Sequence, residues 1–235
     1  MWFADRDDAA DLLARALAPW RGQHPLVLAV PRGGVPMGRR IAAALDGELD
    51  VVLVRKLGAP GMPEFAIGAV DESGWAWLAD HARLAGADDA YVARESAAQR
   101  EVMRRRRARY TPVRPPIDPA GRVAIVVDDG LATGATMLAA LHAVRARGPR
   151  WLICAVPVAS REALALVRPW CDEAVCLSVP DDFAAVGQYY REFDQVDDDR
   201  VVAALAMPAR PEPEPGSVSD PDANSNSNSN SGSGA

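Results

Sequence analysis

Apolar and polar positions follow two rhythms along this chain. Short, nearly continuous apolar runs occur at Leu26–Val30, Asp50–Val54, Val123–Val127, Trp151–Val156 and Glu173–Leu177. Amphipathic stretches with helical spacing separate them, at Asp7–Leu17, Pro36–Leu45, Ala135–Arg147 and Arg161–Val167, the last with Ser160 placed to cap it. Strands that lack in-out alternation are buried on both faces, and interleaved helices supply the two covering layers. The pattern predicts an α/β domain with a parallel-sheet core and flanking helices. In such sheets ligands bind beyond the carboxyl ends of the strands, so the loops there are the ones to inspect.

One interval breaks the rhythm. From Ile67-Gly68-Ala69-Val70 to Pro119 lie roughly fifty residues, far more than a connection between core strands needs. Glu72 to Trp77 reads as a small hairpin with Gly74 at its turn, and Tyr91 to Tyr110 as a long helix. An insertion over about residues 71–119, beside a ligand edge, is expected to act as a lid. From Pro208 the chain turns to Pro, Glu, Asn, Ser and Gly, with nothing to bury. Residues 1–207 are therefore expected to form the domain, and 208–235 a disordered tail.

Composition narrows the class. The 235 residues are 49% hydrophobic and 25% charged, ordinary for a globular protein, and the formal net charge of −6 argues against a general nucleic-acid binder. No apolar run reaches the length that spans a bilayer, and the opening Met1-Trp2-Phe3-Ala4-Asp5-Arg6-Asp7-Asp8 is too acidic for a secretory signal, so a cytoplasmic protein is expected. Cys154, Cys171 and Cys176 match no zinc spacing and read as small hydrophobes in a reducing compartment.

The segment Val123 to Met137 carries the strongest chemistry. A buried strand ends in two adjacent carboxylates, Asp128 and Asp129; the loop Gly130-Leu131-Ala132-Thr133-Gly134 follows, and a helix opens at Ala135-Thr136. Unpaired amides of such a loop and first helical turn favour an anion, and Thr133 and Thr136 add hydroxyl donors. Carboxylates beside them accept hydrogen bonds from vicinal hydroxyls. A ribose 5-phosphate combines both groups. Neither a Walker-type lysine loop nor a Gly-x-Gly-x-x-Gly follows any of the strands.

This segment resembles the phosphoribosyl-pyrophosphate signature of the type I phosphoribosyltransferases. From about Phe3 to Leu205 the chain resembles uncharacterised bacterial phosphoribosyltransferase-like proteins, some fused to hydrolase domains. Pro31-Arg32-Gly33-Gly34, Arg55-Lys56-Leu57-Gly58-Ala59-Pro60, Glu64 to Ala69 and Ala185 to Tyr190 carry the wider likeness. The resemblance implies a type I phosphoribosyltransferase fold with an inserted hairpin-plus-helix lid and a small hood. It also implies ribose positioning by Asp128 and Asp129, and a 5-phosphate cradle from Gly130 to Thr136. Magnesium would arrive with phosphoribosyl pyrophosphate, and no dedicated protein metal site is expected.

Beside that motif, other residues take candidate roles. Gly33 and Gly34 let successive amides converge on an anion, and Arg32, Arg55 and Lys56 could neutralise pyrophosphate. Phe183, Tyr189 or Tyr190 could stack the acceptor base, or pack in the core. Where 6-oxopurine transferases typically carry an aspartate before Thr-Gly, this chain has Ala132, which argues against hypoxanthine or guanine. The expected partners are small molecules, phosphoribosyl pyrophosphate and a base, with no membrane, and with homodimerisation open. The run Arg104 to Arg107 leaves two further readings: a sensor or RNA-binding regulator on the same fold, and a phosphoribosyl-pyrophosphate hydrolase.

Overall fold

The predicted rhythm of strand and helix is realised as two sheets. The computed structural model describes residues 1–206, so the expectation of a disordered tail at 208–235 lies outside the described residues. Five strands, β1 (Leu26–Ala29), β2 (Glu48–Val51), β6 (Val123–Val127), β7 (Trp151–Val158) and β8 (Glu173–Ser178), form a sheet in the order β2-β1-β6-β7-β8, and every neighbouring pair is parallel. Strands β3 (Val54–Ala59), β4 (Met62–Asp71) and β5 (Ala76–Leu78) form a separate antiparallel sheet.

Burial on both faces explains the continuous apolar runs. Val27, Ala29, Val123, Ile125, Val127, Ile153 and Ala155 pack into one apolar cluster; Leu26, Leu28, Ala124, Val126, Leu152, Cys154 and Val156 pack into the other. Alternate residues of each strand thus supply opposite layers. Helices α1 (Arg6–Ala16) and α2 (Gly34–Ala44) cover the first face, joined by α6 (Asp198–Ala206). Helices α4 (Ala135–Arg145) and α5 (Arg161–Val167) cover the second. Their ends are set by local chemistry. Asp5 accepts from Asp8 N at 2.9 Å to start α1, and Ser160 accepts from Ala163 N at 3.0 Å to start α5.

Two expectations need correction. The apolar run Asp50–Val54 is not one strand: β2 stops at Val51 and β3 begins at Val54 in the other sheet. Arg55 and Lys56 therefore lie within β3, not after a core strand, and their side chains leave opposite faces of it. Likewise Ile67 to Val70 belongs to antiparallel β4, so the excursion between parallel strands runs from Val52 to Arg122. The predicted hairpin is present as β4–β5, with Gly74 at φ 96°, and the predicted helix as α3 (Asp89–Tyr110).

Helix α3 buries only Met103 and Tyr110, so apolar packing alone does not hold it. Ion pairs dock it. Arg107 Nη2 donates to Glu72 at 2.7 Å and to Val51 O at 3.3 Å, and its Nη1 lies 3.9 Å from the buried Asp50. No helix among the described residues is long and apolar enough to cross a membrane. Cys154, Cys171 and Cys176 are free thiols, and burial raises the pKa of each.

Candidate active site at the ends of β6 and β1

Strand β6 delivers Asp128 and Asp129 to the carboxyl edge of the parallel sheet, next to the end of β1. The loop after them is tied down from the neighbouring strand. Leu131 N donates to Val158 O at 2.9 Å, Ser160 N to Leu131 O at 3.0 Å and Ser160 Oγ to Ala132 O at 2.9 Å. Gly134 caps α4 at φ 78°, a left-handed conformation open to glycine, and α4's first intrahelical bond runs from Leu138 N to Gly134 O. Amides of the preceding residues are left to face an anion, and the exposed Thr133 and half-buried Thr136 stand beside them.

These residues form one wall of a cavity of about 480 Å3, lined on that side by Asp128, Gly130 to Gly134, Thr136 and Met137. The opposite wall comes from the antiparallel sheet and the loop after it: Lys56, Glu64, Phe65, Ala66 and His81. Lys56 Nζ contacts Glu64 at 3.1 Å, and His81 Nε2 lies 3.1 Å from Ala66 O. Phe65 is 48% exposed and tilts against His81, ring centroids 5.2 Å apart. Helix α3 contributes nothing to this lining. The covering wall is mainly the β3–β4 hairpin, upstream of the insertion expected at 71–119, to which His81 alone of that wall belongs.

The two aspartates diverge. Asp128 faces the cavity; burial, and then the neighbouring charge of Asp129, push its pKa well above the ordinary carboxylate value. Asp129 turns away. Its Oδ2 accepts from Arg6 Nη2 at 2.8 Å and from Arg6 Nε at 3.0 Å, and its main-chain oxygen accepts from Tyr190 Oη at 2.6 Å. Burial raises its pKa while Arg6 opposes the rise. Arg6 also donates to Asp194 O at 2.7 Å and lies 3.9 Å over the Phe193 ring.

The glycines of the first loop are required by this packing. A Cβ on Gly33 would stand 2.0 Å from Asp129 Oδ2, and one on Gly34 would stand 2.6 Å from Val127 O. The loop Pro31 to Gly34, with a cis Pro31–Arg32 peptide, therefore abuts the end of β6. Arg32 and Arg55 do not line the cavity. Arg55 is half-buried and donates to Gln99 of α3 at 2.8 Å.

The expected hood residues sit elsewhere. Tyr189 and Tyr190 are buried, each 5% exposed, with Tyr189 stacked on Phe183 and Tyr190 packed between Phe3 and Phe193. Within that segment it is Val186 that reaches the cavity. Sequence reasoning had no signal for Arg6, a lone arginine 123 residues from its partner. Of the three cations the sequence put forward, Arg32, Arg55 and Lys56, it is Lys56, the single lysine among the 26 basic side chains, that lines the cavity.

Comparison with known proteins agrees with this architecture. A family model described as the phosphoribosyl transferase domain matches residues 6–194. Two Mycobacterium tuberculosis proteins, from different strains and provisionally named phosphoribosyl transferases, are each 44% identical over 204 residues, 86% of this chain and 46% of theirs. The chain thus spans about half the length of the curated relatives it matches. A crystal structure of a Thermus thermophilus protein is 53% identical, covers 88% of this chain and 98% of its own, and superposes with a TM-score of 0.74. The chain belongs to the phosphoribosyl transferase domain family, with an α/β fold built on a parallel five-strand sheet.

Proposed function

We propose that this chain binds phosphoribosyl pyrophosphate and transfers its ribosyl 5-phosphate to a nitrogenous base, releasing pyrophosphate. One observation carries the reading. Thr133, Gly134 and Thr136, at the amino end of α4, and Asp128 line the same cavity, and together they offer what a phosphate and its ribose require: amide and hydroxyl donors, and a carboxyl. The 5-phosphate takes the loop amides with Thr133 and Thr136. Asp128 accepts from a ribose hydroxyl. Asp129 acts indirectly, holding Arg6 and the Gly33 loop in place. Lys56 brings a compact positive charge to the facing wall.

In this reaction the bond from the anomeric carbon to the pyrophosphate oxygen breaks as the bond to the base nitrogen forms, and positive charge grows on the ribose ring. Holding both reactants in one cavity supplies the orientation. Magnesium belongs to the substrate. Among the described residues no three His, Cys, Asp or Glu side chains group to hold a metal, but Asp128 and Glu64 line the cavity and fit a hard cation that keeps phosphate oxygens as its other ligands. Bound there, it would neutralise charge on the departing pyrophosphate. No carboxylate stands at position 132 to take a proton from a 6-oxopurine, which favours other bases as acceptors.

The arginine run gives little support to an RNA-binding role. Arg104 and Arg105 share Glu101, Arg107 pairs with Glu72, and Arg106 faces Asp198, so every arginine of the run is engaged by a carboxylate of this chain. The test is incubation with phosphoribosyl pyrophosphate, magnesium and a panel of bases, following pyrophosphate release against a no-base control. Release that depends on one class of base is the expected result. Equal release without base would identify a hydrolase, and tight binding without release a sensor. Absence of binding overturns the proposal altogether.

A further inference from the structure

The parallel sheet ends at β2 on one side and at β8 on the other, and the two edges are finished differently. At β2 the outward main-chain groups are already taken. Leu49 O accepts from Arg114 Nε at 3.0 Å and Val51 O from Arg107 Nη2 at 3.3 Å, while Val51 N donates to Asp50 Oδ1 at 2.7 Å. Side chains close that edge, and Leu49, Asp50 and Val51 are buried.

The β8 edge has no such cover. Every residue from Glu173 to Ser178 is half-buried, and the strand pairs only with β7. Ala159 N donates to Ser178 O at 3.1 Å, which turns the main chain of Ser178 toward β7. Alternation turns Ala174 and Cys176 the same way and leaves the N–H and C=O groups of Glu173, Val175 and Leu177 pointing outward. Among the described residues no hydrogen bond reaches those groups. The strand holds no Lys, Arg or Pro to blunt an open edge, and its one charge is Glu173 at the start. Apolar surface continues beside it. Val175 and Leu177 pack in the layer of Phe3 and Tyr189. Met1 N lies 3.4 Å from Ser178 Oγ, and the Trp2 ring lies 5.8 Å from that of Tyr189, which sets both residues next to the end of β8. They are 55% and 67% exposed, and Val179, just after the strand, is 37% exposed.

We propose that β8 is a self-association edge, at which two copies of this chain pair β8 with β8, antiparallel about a two-fold axis at Val175, and join their parallel sheets into one. Val175 then faces Val175 of the second copy, Glu173 faces Leu177, and Ala174 faces Cys176. Glu173, Val175 and Leu177 exchange main-chain hydrogen bonds with their counterparts, and no like charges oppose one another. Flanking charge favours the same occupant. The axis turns the exposed Arg168, which has no ion pair among the described residues, toward the acidic Asp181 and Asp182 of the second copy. A six-residue ladder falls short of the ~1,600 Å2 that a stable interface buries, and Met1, Trp2 and Val179 supply further apolar area beside it. No residue of β8 lines the cavity, so the pairing is independent of what the cavity binds.

Sedimentation of the full chain over a range of concentrations tests the pairing, with the wild type expected as a dimer. Val175→Pro removes an outward N–H that the monomer does not use, and should weaken association by about thirtyfold for the one ladder bond lost per subunit. Should Val175→Pro fold poorly, Ala174→Cys reads the register instead. Ala174 and Cys176 of the second copy would form a non-hydrogen-bonded pair with Cα atoms about 4.5 Å apart, within disulfide reach. Mild oxidation is expected to link Ala174→Cys into a covalent dimer, and to leave it unlinked once Cys176→Ser is added. A wild type that sediments as a monomer at every concentration overturns the proposal, as does a dimer that survives Val175→Pro in folded protein. Absence of the link, or an equal link with Cys176→Ser present, overturns the pairing about Val175.

Discussion

Adjacent identical residues can do different work just beyond the end of a strand. Asp128 and Asp129 follow β6 in succession; one faces the cavity, and the other is claimed by Arg6 from the far end of the chain. Their substitutions should therefore part. Burial and the Asp129 charge raise the Asp128 pKa, so between the ordinary carboxylate value and that raised value the native state holds a proton which the unfolded chain has lost. Stability then falls as pH rises through that window. Asp128→Asn removes the penalty, and we expect it to melt no lower than wild type at about pH 8 while losing ribose 5-phosphate binding. Asp129→Asn strips a 13%-exposed guanidinium of its charge partner and is expected to cost about 2 kcal/mol in urea unfolding. If Asp128→Asn destabilises as strongly as Asp129→Asn, the division of roles is wrong. The acid pair itself was legible in the sequence, because a buried strand, two carboxylates and Thr-Gly-x-Thr coincide there. Their divergence was not, because it depends on an arginine brought back by the fold.

Elements are legible where one local rule decides them. β6 spans Val123–Val127 and α5 spans Arg161–Val167, both as the sequence predicts, the first through an unbroken apolar run and the second through its serine cap. The change of sheet between Val51 and Val54 has no such mark, since Val51 to Val54 is continuously apolar on either side of it. Helix α6 was passed over because it buries only Val201 and Leu205, one turn apart, too little periodicity to notice. Helix α3 is the instructive case: its pattern announces a helix but not what holds it. Arg107 does, by covering Asp50, whose pKa burial raises most and whose charge Arg107 helps to compensate. Replacing Arg107 with Met keeps the length and removes the charge. We expect a loss of about 3 kcal/mol by urea unfolding, since Asp50 is left buried with only the weaker influence of Arg114 to offset its charge. Arg104→Gln, on a solvent-facing pair, should leave the midpoint where it is. A stable Arg107→Met protein would mean that α3 is held by its apolar contacts after all.

At the scale of the molecule, the cavity lies between two sheets that meet through one helix. The amino end of α4, the anion loop of the proposed function, lies on the parallel-sheet side. Further along, His142 of α4 stacks on Trp75, ring centroids 3.6 Å apart, with its Nδ1 3.4 Å from the buried Asp71 at the end of β4. The same helix thus borders the cavity and fixes the antiparallel sheet whose hairpin supplies Lys56, Glu64 and Phe65. A ligand that fills about 480 Å3 between these walls must contact both, so its binding should damp the opening of both. Hydrogen exchange with phosphoribosyl pyrophosphate and magnesium is expected to slow at amides 130–138 and, together with them, at 55–66. Binding only to the folded state should also raise the melting temperature in proportion to ligand excess. Protection confined to 130–138 would show that the hairpin stands apart from the ligand. The facing wall, Lys56 included, would then have to be struck from the site.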